Sequence, residues 1–159
     1  MKNLKYILFI GLLLVVANSF VLADETGEAI KFFKKYVNAA NSYDESILKM
    51  YSPDARIIRQ VVKPDGTLED IETDVDTYLS QLKLGQKVAR LRRYKNYYTN
   101  INAEKVSNGI KISCLRQPTG EKYRLRSYFI VKKQPNGKWL IVEEMMQTKV
   151  QTFLKYANR

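Results

Sequence analysis

The hydrophobic period of this chain changes near Arg90, and that change limits the folds open to it. Before Arg90 most apolar residues recur at helical spacing, with one strand pair interposed; after it they alternate. A helix buries a stripe at period 3.6, whereas a half-solvated strand buries every second residue, so the two stretches build different layers. Thr26 caps a first helix reaching about Asn41, striped by Ile30, Phe33, Val37 and Ala40. Ser42-Tyr43-Asp44-Glu45 has the form of a capping box opening a short second helix. Its inner face is Ile47, Met50 and Tyr51, and Ser52-Pro53 stops it. Ala55 to Val62 alternates and is β-branched; Lys63-Pro64-Asp65-Gly66 turns it back into Thr67 to Glu72. Thr73-Asp74-Val75-Asp76 caps a third helix striped by Val75, Tyr78, Leu79 and Leu82, which Gly85 is placed to end.

Four further strands are predicted over Arg92–Val106, Gly109–Arg116, Glu121–Lys133 and Lys138 to about Thr148. Ser107-Asn108-Gly109, Gln117-Pro118-Thr119-Gly120 and Gln134-Pro135-Asn136-Gly137 separate them as hairpin turns. All four prolines are read as marking breaks. About three helices first and a run of hairpins after predicts an α+β fold, the helices packed on one face of a curved antiparallel sheet of five to six strands.

Compartment is read from residues 1–23. Lys2 and Lys5 precede an apolar run from Tyr6 to Val16, and Val21-Leu22-Ala23 precedes the acidic Asp24-Glu25. Those are the parts of a secretory signal peptide, with cleavage expected after Ala23 and a periplasmic or secreted product. Residues 24–159 then form a single domain. Its lone cysteine, Cys114, lies in an alternating apolar run and is expected to be buried. The chain carries 27 basic and 16 acidic residues, +11 in all, and loss of Lys2 and Lys5 leaves +9. Such an excess favours an anionic envelope surface or an acidic protein partner; export argues against nucleic acid.

There is no histidine. That removes imidazole acid–base catalysis, Ser-His-Asp and Cys-His nucleophiles and nearly every transition-metal site. No metal and no cofactor is expected. Asp70, Glu72, Asp74 and Asp76 alternate as in a calcium loop, but Val75 stands where the loop needs glycine and no glutamate closes it. Acids before a helix also answer its dipole. Lys83 to Lys95 holds six basic residues and no acid. It reads either as a docking patch for anionic lipid or polymer or as a solvated helix end and sheet edge. The acidic and basic stretches could also meet between two copies, and a homodimer through the sheet is a further expectation.

Two stretches carry a family resemblance. Leu48-Lys49-Met50-Tyr51-Ser52-Pro53-Asp54-Ala55-Arg56-Ile57 resembles the exit from the second helix into the first strand of the nuclear transport factor 2-like superfamily. Asn136-Gly137-Lys138-Trp139-Leu140-Ile141-Val142-Glu143 resembles the turn into its last strand. The resemblance implies a cone with a central cavity between sheet and helices, the fold shared by ketosteroid isomerases and scytalone dehydratases. It puts the isomerase base position on Arg59, the tyrosine on Tyr36 and the acid near Ser127. An arginine stays protonated at neutral pH and cannot take a proton from carbon, so the isomerase mechanism does not carry over. The dehydratase histidines are missing.

On the predicted last long hairpin Tyr123, Leu125, Ser127, Phe129 and Val131 face the cavity, and on strand one Ala55, Ile57, Arg59 and Val61 do. An inward Arg59 needs an internal partner, with Glu143 a candidate, or a ligand, or a route to water. The expected ligand-binding set is Arg59, Tyr36, Ser127 and Glu143, with no catalytic residue assigned. The leading expectation is an exported, non-catalytic protein that binds a small amphiphilic or anionic ligand in its cavity or an envelope partner on its surface. Two alternatives stand beside it: a cavity enzyme, isomerase or hydrolase, using Tyr36, Ser127 or Glu143, and an accessory domain whose sheet is a protein interface.

Overall fold

A computed structural model describes residues 25–157; the expected leader and the cleavage site expected after Ala23 lie outside the described residues. Helix α1 occupies 25–42 and a 3-10 turn covers Glu45–Lys49. Strands β1 (Tyr51–Val62) and β2 (Leu68–Thr73) follow, then helix α2 (Val75–Leu91). Strands β3 (Asn96–Val106), β4 (Gly109–Pro118), β5 (Leu125–Lys133) and β6 (Trp139–Thr148) complete the sheet, and a last 3-10 turn covers Gln151–Tyr156. The six strands lie in the order β2-β1-β6-β5-β4-β3. Four of the pairings are antiparallel, but β1 runs parallel to β6. The first hairpin is therefore joined to the meander by its first strand, with α2 as the crossover on the way.

Why α1 lies on the sheet follows from its stripe. Phe33 and Tyr36 each meet the Phe129 ring at 5.0 Å between centroids, and Phe33 meets Tyr98 edge-on at 5.3 Å. The inner sheet face supplies Ile57, Val61, Ile112, Phe129 and Val131, all buried. On β5 the alternation is as the sequence predicts: Leu125, Ser127, Phe129 and Val131 are buried while Arg126 and Lys132 are exposed. Cys114 is buried and free.

Several boundaries differ from expectation, each for a local reason. The capping box does not form. Ser42 Oγ turns back to Asn38 O at 2.6 Å, Tyr43 takes φ 58°, and Asp44 becomes the cap by accepting from Ser46 N at 2.8 Å. The second helix is thus one 3-10 turn. Gly85 does not end α2; the helix runs two more turns and stops at Arg92, whose N–H returns to Val88 O, with Arg93 at φ 52°. Pro53 lies inside β1, where the register with β6 slips between Tyr51 and Arg56 and no ladder N–H is required. Pro118 is the last residue of β4. At the β3–β4 turn Gly109 takes φ 137°, and a Cβ there would collide with the Val131 carbonyl.

One irregularity decides the site. On β6, Ile130 pairs with Glu143 but Val131 pairs with Ile141, so Val142 is an extra residue. Such a bulge shifts the side-chain phase by one. Ile141 faces inward before it; Glu144, level with Ile57 and Phe129, faces inward after it.

Candidate functional site

Inside the cone, α1, β1, α2 and β6 bring one carboxylate, one guanidinium and three phenols together. Glu144 is 0% exposed. Its Oε1 lies 2.8 Å from Arg59 Nη1, an ion pair made without an aligned hydrogen bond. Its Oε2 accepts from Tyr51 OH at 2.5 Å and from Tyr36 OH at 3.4 Å. The hydroxyls of Tyr51 and Tyr78 stand 3.3 Å apart, as do those of Tyr51 and Tyr36. Arg59 is also fixed by donating to Ile58 O at 3.2 Å and by lying 4.9 Å over the Tyr78 ring.

The electrostatics follow from burial and from that carboxylate. Burial first, then the charge of Glu144, pushes the Tyr36 and Tyr51 phenols well above their ordinary value, and Tyr78 to about 12. All three are neutral donors at physiological pH. Burial is the largest single influence and works against the charge on Arg59, but Glu144 together with the Tyr78 and Tyr51 phenols outweighs it and raises the guanidinium pKa. The cluster is a closed charge pair capped by hydroxyls.

Beside it lies a cavity of about 430 Å³ between the inner sheet face, α1, α2 and the final 3-10 turn. Ala40, Ile57, Leu82, Ala89, Met146 and Phe153 give it apolar walls. Tyr36, Arg59 and Tyr78 reach its surface, but Glu144 does not. Its only charged lining residues, among the described residues, are Arg59 and Arg116. Arg116, on β4, is 7% exposed. It donates through Nη1 to Asn96 Oδ1 at 2.9 Å and through Nη2 to Gln147 O at 2.7 Å.

The four residues singled out from sequence fall in three places. Arg59 and Tyr36 meet at the Glu144 cluster and line the cavity. Ser127 is buried on the same face, between Cys114 and Met146 in register, its Oγ unpartnered and away from the cavity wall. Glu143 is not the inward carboxylate. The Val142 bulge turns it to the outer face, where it accepts from Tyr128 OH at 2.6 Å and lies 3.6 Å from Arg56. Its neighbour Glu144 holds Arg59 instead. Arg116, Glu144, Tyr51 and Tyr78 escaped the sequence reading as site residues; Arg116 alone had a signal, as the next in-phase residue after Ile110, Ile112 and Cys114.

The arrangement can bind and orient, but its acid–base capacity is small. The carboxylate is shielded from the cavity, and the Tyr36 and Tyr78 phenols, which border it, stay protonated. Among the described residues no group of His, Cys, Asp or Glu could hold a metal ion.

No family model and no curated protein matches the sequence. Solved structures do match in fold. An NTF2-like protein of unknown function from Pseudomonas putida KT2440 aligns over 79% of this chain and 87% of its own, at 11% identity and a TM-score of 0.60. An NTF2-like protein with a cystatin-like fold from Novosphingobium aromaticivorans aligns over 83% and 86%, at 11% identity and 0.60. An NTF-2 like protein of unknown function from Shewanella oneidensis MR-1 covers 77% and 98%, at 15% identity and 0.57. Helices on the inner face of a curved, unclosed six-stranded sheet, a cavity between them and these likenesses lead to one conclusion: the chain has the cystatin-like α+β fold of the nuclear transport factor 2-like superfamily.

Proposed function

We propose that the protein is an exported, non-catalytic binding protein whose cavity takes a small amphiphilic molecule. The observation that carries this reading is the lining. A space of about 430 Å³ is walled by aliphatic and aromatic side chains, with a few polar groups converging on it and no carboxylate among the described residues at its surface. Pockets of a few hundred Å³ with that balance suit small ligands. An enzyme moving protons would need an acid or base poised near neutrality and in reach of the ligand. Here Glu144 sits behind Arg59 and the phenols. Export rests on the leader at residues 1–23. Native mass spectrometry of the protein from its own host tests the reading: a co-purified small molecule of amphiphilic composition is expected, and an empty cavity that no amphiphile fills on addition overturns it.

A second, surface role is favoured by the outward side of α2. Leu84, Val88 and Leu91, spaced i, i+4 and i+7, form one stripe, with Leu84 78% and Leu91 83% exposed. Lys83, Lys87 and Arg90 flank it, and no acid occurs between Asp76 and Glu104. An exposed apolar ridge edged with cations matches an anionic phospholipid surface. The opposite side of the same helix lines the cavity, through Leu82 and Ala89. Co-sedimentation with phosphatidylglycerol vesicles, and little with phosphatidylcholine, is expected. Binding that survives Leu84→Ser with Leu91→Ser excludes this face as its source.

A further inference from the structure

We infer that Arg116 is the receptor for the head of a monoanionic amphiphile, a carboxylate whose tail lies along the apolar wall formed by Ala40, Leu82, Ala89 and Phe153. The inference rests on the cavity-binding reading above and adds the ligand's charge and where it is held.

The argument begins with an unbalanced charge. A guanidinium keeps its proton at any physiological pH. Moving it out of water is strongly unfavourable unless an opposite charge accompanies it. Arg116 is buried, yet none of the described carboxylates lies within 4.0 Å of it; its two acceptors, the Asn96 side chain and the Gln147 carbonyl, are both neutral. Its Nε–H is buried with no acceptor. The lining residue Arg59 has Glu144, so the two arginines and one carboxylate leave a single positive charge at the Arg116 end. A monoanion neutralises that charge; a dianion would overshoot it.

The guanidinium is also held ready. Asn96 Oδ1 takes the Arg116 Nη1–H, and Asn96 is itself pinned by a reciprocal pair to α1: Asn41 Nδ2 donates to Asn96 O at 3.0 Å and Asn96 N donates to Asn41 Oδ1 at 2.9 Å. Gln147 O, on β6, fixes the other terminal nitrogen. A planar fork locked at both tips, with the Nε edge unused, is prepared for one charge-assisted contact at little cost in side-chain freedom. No described acidic side chain lines the cavity around the head position. Asn41, Tyr94 and Asn96 share that part of the lining, and the described acidic residues that pair with cations do so elsewhere: Glu144 holds Arg59, while Glu25, Glu28, Glu69, Glu72 and Glu143 hold basic groups on the surface or on β1's outer face.

Three probes with one tail test this on the full chain: decanoate, decanol and decyltrimethylammonium, by titration calorimetry. Wild type should bind decanoate roughly 10- to 150-fold more tightly than decanol, the range of a hydrogen bond to a charged group, and the cation least. In Arg116→Met the affinity for decanoate should fall to that for decanol, with decanol unchanged, which also shows the cavity intact. Arg116→Lys, keeping charge without the fork, should retain part of the preference. Equal affinity for decanoate and decanol in wild type, or a decanoate preference that persists in both variants, overturns the role of Arg116 and leaves the amphiphile reading standing. Failure of all three probes to bind removes that reading, and this inference with it.

Discussion

Arg59 and Arg116 stand on the same inner sheet face and border the same cavity, yet their surroundings differ in one respect. Arg59 has a carboxylate 2.8 Å away, and a phenol ring beneath it. Arg116 has two neutral acceptors and an idle Nε–H. Position on the strand explains the difference. The bulge at Val142 swings Glu144 into register with Ile57, next to Arg59, whereas Arg116 lies three strands from Arg59 and two from Glu144, level with Leu125 and Tyr98. A buried ion pair is balanced within the protein, so its strength appears as folding stability once one partner is removed. A buried lone cation is unbalanced, and its strength appears when a ligand arrives.

The sharpest way to break that contrast is Glu144→Gln. It strips Arg59 of its counterion and weakens the acceptor for Tyr51 and Tyr36. Removing one partner of a buried pair typically costs about 3–5 kcal/mol. Urea denaturation should show a loss of that size, and a change below about 1 kcal/mol would mean that the pair is not closed as described. Arg59→Met should lose less, roughly 2–3 kcal/mol, since Glu144 keeps two phenolic donors. The double variant Arg59→Met with Glu144→Leu should recover most of the deficit, because no buried charge is then left alone.

Alkaline pH attacks the same end of the cavity. The Tyr78 phenol is raised to about 12, and Tyr36 and Tyr51 are also raised well above their ordinary value. A group whose folded pKa exceeds its unfolded value of about 10 contributes stability that is fully present below pH 10 and is lost as pH rises through the folded value. Stability should therefore fall between about pH 10 and pH 12. Tyr78→Phe should flatten the slope, by on the order of 2 kcal/mol at the upper end. A denaturation midpoint that does not move over that interval would show these phenols to be wetter than the structure has them.

These tests turn on residues of unequal legibility. The inner face of β5 was open to view because nothing interrupts its alternation: Leu125, Ser127, Phe129 and Val131 need only period two. Arg59 and Tyr36 were placed by the resemblance at the Asp54-Ala55 step, and the structure does bring them together. Glu144 was hidden by a bulge, for an extra residue in a strand leaves no mark when Ile141, Val142 and both glutamates all suit either face. Reading on in strict alternation from Ile141 points to Glu143, one residue short. The end of α2 was misplaced for the opposite reason. Gly85 looked like a stop, but it is an interior residue whose cost of about 1 kcal/mol the helix tolerates, and Arg93 makes the left-handed turn instead. Arg116 was in phase with three buried residues and went unread because a charge at the end of a predicted strand is ordinarily solvated.

The smallest effect expected is the one that separates the two arginines most clearly. Arg116→Met removes a cation whose burial no described carboxylate offsets, so the folded state sheds a desolvation penalty as it loses two hydrogen bonds. Each neutral acceptor left behind costs something, on the order of 1 kcal/mol, but Asn96 Oδ1 keeps a contact with Tyr94 OH at 3.3 Å. The two contributions oppose each other, and the net change in unfolding free energy should lie within about 1 kcal/mol of zero in ligand-free protein. Arg59→Met, an identical substitution on the same sheet face, should cost two or three times that. A ratio near one would say that Arg116 is as firmly balanced as Arg59, by a group not among its described neighbours, and the cavity would then have no charge to offer a ligand. A loss confined to Arg59 leaves Arg116 as the residue whose charge is held in reserve. Adding decanoate should then stabilise wild type and not Arg116→Met, since only a site present in the folded state converts binding into stability.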